Sequence, residues 1–258
     1  MVQAVDRAVQ ILEICSDGPT DIQAIAKALD VHRTTALRLI ASLEAKGLLD
    51  HDASFRYRIG YGLHALALRS SDVVDMKTMV HPHVAQLAEE TGFSVHCAVC
   101  LQNRVVSLDI VEPPYSIRLP LRIGGNVVVN TAGVAKALLA HLDHNTRERV
   151  LDNATWERYT ERTITSRKQF REVLEAVRER GWAYDDGEFE DLSNCVAAPF
   201  FNARGEVAGA ISLTSFKART PLSELREYVP LLKDRMRQLS IELGCREDAP
   251  ALQPRGDT

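Results

Sequence analysis

Two guanidinium groups and two hydroxyls fall within the run Arg33-Thr34-Thr35-Ala36-Leu37-Arg38. Ala36, Leu39, Ile40 and Leu43 recur at helical spacing, and burying them turns Arg33, Thr34, Leu37 and Arg38 outward at the start of a helix. Arginines there reach phosphate oxygens or the O6/N7 edge of guanine. The Thr34 and Thr35 hydroxyls can donate to phosphate or cap the helix. A second basic group, Arg56-Tyr57-Arg58, follows after a polar turn and suits contacts to flanking DNA backbone. The chemistry is that of a reader of double-stranded DNA.

A different chemistry is written near the C-terminus. Ser212 and Thr214 share one face of a strand whose other members on that face are expected to be Ala208 and Ala210, while Ile211 and Leu213 face away. Adjacent small hydroxyls among alanines suit a small polar ligand; a strand face tucked under a loop gives the same pattern. The cysteines carry less. Cys97-Ala-Val-Cys100 beside His96 has zinc-like spacing, but an odd separation in a strand sends the two thiols to opposite faces. Cys195 as a nucleophile would need a base, and no spacing pairs it with His81, His83, His96, His141 or His144. A thiol redox sensor is the remaining use of these cysteines. Gly124-Gly125 alone does not make a phosphate loop. No catalytic residue, metal or cofactor is expected.

These residues need elements to hold them. The chain has 258 residues, 45% hydrophobic and 26% charged, with net charge −4. That is a globular composition with room for one or two domains, and it excludes a disordered or fibrous chain. No apolar run is long enough to span a bilayer and no leader is evident, so a cytoplasmic protein with no membrane partner is expected. Five cysteines, an odd number, fit a reducing compartment.

Residues 4–15 read as an amphipathic helix, a second short helix starts at an Asp21 cap, and a third runs from Arg33 or Thr34 to Lys46 with Gly47 as its stop. Leu48-Leu49 and Phe55–Ile59 are short strand candidates. Three helices and a hairpin in this order make a winged helix-turn-helix over 1–60. Residues 1–58 hold seven basic and eight acidic side chains, but 33–58 hold five basic and three acidic. Modest charge per subunit points to a dimer on a palindromic or repeated operator. Residues 61–80 read as a linker helix whose apolar stripe, lying between two domains, suits pairing with another subunit; packing on its own domain is the alternative.

The remainder, 81–246, alternates helices and antiparallel strands. The pattern predicts helices over 82–91, 131–141 and 146–153, a helix opened by Ser166 and stopped by Gly181, and a long C-terminal helix from Pro221 to Gly244 kinked at Pro230. Strands are predicted at 93–111 (two), 116–123, 182–186, 195–201 and 206–216. Residues 247–258 read as a disordered tail. The fold class is α+β.

Several motifs stand in a fixed order along residues 4–245: Asp6-Arg7-Ala8-Val9-Gln10-Ile11-Leu12; Thr35-x-x-Arg38-Leu39-Ile40-x-x-Leu43-Glu44-x-x-Gly47; Tyr57-Arg58-Ile59-Gly60; Thr131-Ala132-Gly133-x-Ala135-Lys136; Arg178-x-x-Gly181-Trp182-Ala183-x-Asp185-Asp186-Gly187-Glu188; and Cys195-Val196-Ala197-Ala198-Pro199. In this the chain resembles the IclR family of bacterial transcription regulators. The resemblance implies a winged helix-turn-helix, a linker helix and a GAF-like effector domain. It also implies homodimers or tetramers and control of catabolic genes by a small metabolite, an organic or aromatic acid. The family's pocket maps onto Gly133 and Val134 at a helix start, Asp185, Cys195, Ser212 and Thr214. The chain departs from the family pattern at Val127-Val128-Val129-Asn130 and at Ala135, which makes the entry to the site more apolar. Asp185 would repel a carboxylate unless it meets a hydroxyl.

Overall fold

The computed structural model describes residues 2–16, 18–70 and 76–253. The chain folds as two compact units whose boundary in sequence falls between residues 75 and 76.

In the first unit, α1 (Gln3–Ser16), α2 (Ile22–Ala28) and α3 (Arg33–Glu44) precede a hairpin of β1 (Leu49–His51) and β2 (Tyr57–Ile59), then α4 (Tyr61–Ser70). Asp21 caps α2 by accepting the Gln23 and Ala24 amides at 2.9 Å each. His32 caps α3, its Nδ1 lying 2.9 Å from the Thr34 hydroxyl. Ile11, Ile25, Ala36 and Ile40 close the core between the helices. The hairpin pairs Asp50 with Arg58 and His51 with Tyr57. Tyr57 is a correction: expected at the DNA backbone, it is 6% exposed and part of the core, because β2 also bridges to Thr20 and so turns this side chain inward. Gly60 and Gly62 let α4 begin against the turn after α3, since a Cβ on either would stand within 2.7 Å of the Gly47 carbonyl oxygen.

The second unit is built on a five-stranded antiparallel sheet in the order β4-β3-β7-β6-β5: β3 (Ser94–Leu101), β4 (Arg104–Val111), β5 (Ala183–Asp185), β6 (Ser193–Phe201) and β7 (Val207–Phe216). One face packs on α5 (Met76–Thr91) and α10 (Val229–Glu242) through Val95, Cys97, Val196, Phe200, Ile211 and Leu213. The other face packs on α6 (Gly133–Leu139) and α8 (Arg167–Arg180) through Ala98, Ala183, Ala197 and Ala210. Small residues on that face let the short, fully buried α6 approach the sheet. Between them in the chain lie α7 (His144–Asp152), and later α9 (Leu222–Leu225).

Several expectations need correction. Residues 116–123 form no strand: the Ile117 carbonyl accepts from the Ser94 hydroxyl, the Leu119 amide donates to Glu112 Oε1 at 2.6 Å, and Pro120 has no N–H for a ladder. The helix expected to start at Pro82 starts at Met76 and carries Pro82 inside it. The C-terminal helix is broken after Leu225 by a 3-10 turn, and Pro230 sits in the first turn of α10, where its missing N–H costs nothing, instead of kinking a long helix. Ala208 packs on the α5/α10 core, not beside Ser212, because the β6–β7 register shifts at Phe200/Phe201 and leaves Ala208 as the extra residue. The expected tail continues as hydrogen-bonded turns to residue 253, Leu252 N–H donating to Ala249 O at 2.9 Å. The part of the linker stripe at 71–75 and the end at 254–258 lie outside the described residues.

Candidate functional site

Arg33, Thr34, Thr35, Leu37 and Arg38 are all exposed on the first half of α3; Thr34 and Arg38 point away from buried Ala36 and Ile40, whereas Arg33 shares the side of those two and is exposed because it stands in the first turn. Among the described residues neither Arg33 nor Arg38 has an ion-pair partner. Arg33 stands in the first turn of the helix, the end that favours anions, and Arg38 follows about a turn and a half later. Arg56 and Arg58 are also exposed but engaged: Arg56 donates to the Pro19 carbonyl at 2.7 Å, and Arg58 pairs with Asp50 at 3.1 Å. An exposed pair of this kind is worth little and exchanges readily for a phosphate.

The second unit holds a cavity of about 150 Å³ between the α6 face of the sheet and the loop 112–130. Strand register builds its floor. Asp185, Cys195, Thr214 and Ser94 stand side by side across β5, β6, β7 and β3, and the next row places Ala183, Ala197, Ser212 and His96 together. All of Gly133, Val134, Asp185, Cys195, Ser212 and Thr214 line the cavity. Leu119, Pro120, Leu121 and Val127 from the loop give it an apolar roof. That loop is tied down by the Ser94 contact and by Gly124 and Val127 amides donating to the Ser107 and Val105 carbonyls at 2.8 Å.

Gly133 is required by contact. A Cβ there would lie 2.6 Å from Cys195 Sγ, so only glycine lets α6 begin on this thiol. No side chain caps that helix start. Cys195 is pushed up to about 12, by burial first and then by Asp185, so it stays a thiol at neutral pH and is a poor nucleophile or oxidation site. His96 is held neutral, down to about 4, by burial, with Nε2 3.0 Å from the Ser107 hydroxyl. Cys97 and Cys100 separate to opposite faces, Cys97 in the α5/α10 core and Cys100 against the α6/α8 core.

Beneath the cavity runs a charge cluster that sequence reasoning did not place in the site. Lys136, 1% exposed, donates from Nζ to the Tyr184 carbonyl at 3.0 Å and to Glu188 Oε1 at 2.5 Å. Asp185 Oδ1 accepts the Glu188 amide at 2.6 Å. Burial pushes Asp185 up and Glu188 up to about 7, in both cases against the pull of Lys136. Besides the apolar roof, the lining residues not expected in the site include His96, Asn126, Thr131, Phe189, Glu190 and Ser193. The polar alternation of Ser94 and His96 was the sequence signal for part of this set; the loop residues had none.

A family model described as bacterial transcriptional regulator IclR C-terminal matches residues 68–241, and the IclR helix-turn-helix domain matches residues 4–53. The HTH-type transcriptional regulator BhcR of Paracoccus denitrificans is 29% identical over 254 residues, covering 96% of this chain and 90% of that protein. The Agobacterium tumefaciens repressor BlcR has a similar structure, with TM-score 0.74 at 23% identity, covering 95% of this chain and 99% of that one. An IclR homologue from Microbacterium hydrocarbonoxydans complexed with 4-hydroxybenzoate aligns with TM-score 0.59 at 22% identity, over 93% of this chain and 98% of that one.

Proposed function

The chain belongs to the IclR family of bacterial transcriptional regulators, DNA-binding proteins with a helix-turn-helix, and from that membership we propose a metabolite-responsive repressor of catabolic genes. Arg33, Thr34, Thr35, Leu37 and Arg38 enter a major groove, and Arg56 and Arg58 reach the flanking phosphates. Each homodimer, alone or within a tetramer, reads a palindromic or repeated operator. The effector is a small organic acid with an apolar body, held by Gly133, Val134, Asp185, Cys195, Ser212 and Thr214.

The observation that carries the effector assignment is the single cavity onto which these six residues converge, floored by hydroxyls and roofed by aliphatic side chains. About 150 Å³ is the size of cavity that takes one benzene ring. A neighbouring structure's complex with 4-hydroxybenzoate is in keeping with an acid of that size. The ligand acts by binding one arrangement of the effector unit better than another and so shifting operator affinity.

The test joins two measurements. A thermal-shift screen against aliphatic and single-ring acids finds the ligand, since anything that binds only the folded state raises the melting temperature. Gel shifts on the promoter next to the gene, with and without that acid, then read operator release. If no duplex from that promoter binds at low salt, the DNA-binding assignment fails. If no acid in the screen raises the melting temperature, the effector assignment fails.

A further inference from the structure

The cavity's lining contains two carboxyl groups, Asp185 and Glu190, and no lysine or arginine. Its one imidazole, His96, is neutral at physiological pH. The nearest cation, Lys136, lies behind the wall with its ammonium already committed to Tyr184 O and Glu188. From the adjoining loops, Lys217 donates to the Asp186 carbonyl at 2.7 Å and pairs with its carboxylate at 3.0 Å, and Arg162 pairs with Asp186 as well. Cys195, from β6, is a neutral thiol. Of the two ammonium groups that act on buried Asp185, that of Lys136 is therefore bound to Glu188 and that of Lys217 to Asp186. Glu188 Oε2 is buried with no hydrogen-bond partner, so the cluster has an acceptor that lacks a donor.

A dissociated carboxylate entering this lining meets the uncapped start of α6, but it also adds a second negative charge beside buried Asp185, with no lysine or arginine in the lining to balance it. Resting on the effector assignment above, we propose that the pocket takes its ligand as a neutral acid: a monocarboxylate enters together with one proton from solvent, shared between the ligand's carboxyl group and Asp185. Lys136 and Glu188 are positioning residues: the Glu188 amide holds Asp185, and the Glu188 carboxylate keeps the Lys136 ammonium from the ligand. The hydroxyls of Ser193, Ser212 and Thr214 are available to the ligand's second oxygen. Dicarboxylates, which would bring a second charge, are excluded.

The proton is measurable. The full-length protein is titrated calorimetrically at pH 8 in phosphate and in Tris with whichever of benzoate, 4-hydroxybenzoate, propionate and butyrate binds best. The difference in apparent enthalpy between buffers gives the protons taken up, expected to be close to one. From pH 7 to 9 the dissociation constant should rise about tenfold per unit, the slope of one bound proton. Asp185→Asn should bind the same acid with no uptake and a flat pH profile. Ser212→Ala should bind more weakly with the uptake unchanged, which a merely structural role for Asp185 would not produce. Tight binding with buffer-independent enthalpy and pH-independent affinity overturns the proposal and leaves the effector assignment standing. Failure of all four acids to bind between pH 5 and 9 overturns both.

Discussion

The most demanding prediction concerns the contact on which the start of α6 depends. Gly133→Ala adds a Cβ that would stand 2.6 Å from Cys195 Sγ, with the Ala197 Cβ next at 3.5 Å. Ordinary contacts between such atoms sit at about 3.5–4.0 Å, so the intrusion is about 1 Å and comes from one sulfur. That sulfur has little freedom: Cys195 is paired with Asp185 on one side and Thr214 on the other. Overpacking of this kind costs about 1–3 kcal/mol. At about 2–4 °C per kcal/mol for a domain of this size, the melting temperature should fall by about 2–12 °C. In a Cys195→Ala background the offending atom is gone and the remaining neighbours are at ordinary distance, so most of the cost should vanish. The assay is a double-mutant cycle by chemical denaturation, with an expected coupling of about 1–2 kcal/mol. A Gly133→Ala protein as stable as wild type, or one whose loss is undiminished beside Cys195→Ala, would refute the contact.

Other consequences follow from the same geometry. Glu188 titrates near 7 when folded and near its ordinary 4.5 when unfolded, so its contribution to stability is full below about 4.5 and is lost as pH rises to 7; Glu188→Gln should flatten that part of a stability–pH curve by an amount on the order of 3 kcal/mol. Lys136→Met strands two buried carboxyls and should destabilise by about 3–5 kcal/mol at pH 8, less at pH 5, measured by urea denaturation. Arg38→Ala should weaken operator binding and lower the slope of log affinity against log salt by about one if the contact is to phosphate, measured by fluorescence anisotropy. Tyr57→Ala should abolish DNA binding by unfolding the first unit, at a cost of about 3–5 kcal/mol, whereas Tyr57→Phe should bind DNA normally; circular dichroism separates loss of fold from loss of contact.

Much of this was legible because local rules and global packing agree. Asp21, Ser166 and Gly181 stop and start helices as their chemistry dictates: Ser166 accepts the Gln169 amide, and Gly181 takes a left-handed φ of 77°. Period-two alternation gave the Ser212/Thr214 face. What failed did so for non-local reasons. The 116–123 segment has strand composition, but Ser94 and Glu112 capture its backbone groups. Ala208 obeys alternation until a register shift reassigns it. Tyr57 lies beside two exposed arginines in sequence and is buried because Thr20, distant in the chain, pairs across from it. Lys136 and Glu188 were visible as motif members, yet their roles come from a contact spanning 52 positions that no local pattern encodes.

The size of the cavity constrains how the signal can arise. A ligand that fills about 150 Å³ has on the order of ten non-hydrogen atoms, and at the low efficiency of about 0.3 kcal/mol per atom found for much larger ligands it supplies about 3 kcal/mol. A hundredfold change in operator affinity takes about 2.7 kcal/mol of difference between two states. Nearly every contact would then have to be made in one state and lost in the other, unless the ligand is held with far better efficiency than average. The floor of the cavity belongs to a sheet with cores on both faces and has little room to move. The differing contacts therefore fall to the roof, the 112–130 loop with Leu119, Pro120, Leu121 and Val127, and to the start of α6, which rests on the sheet only because residue 133 lacks a side chain.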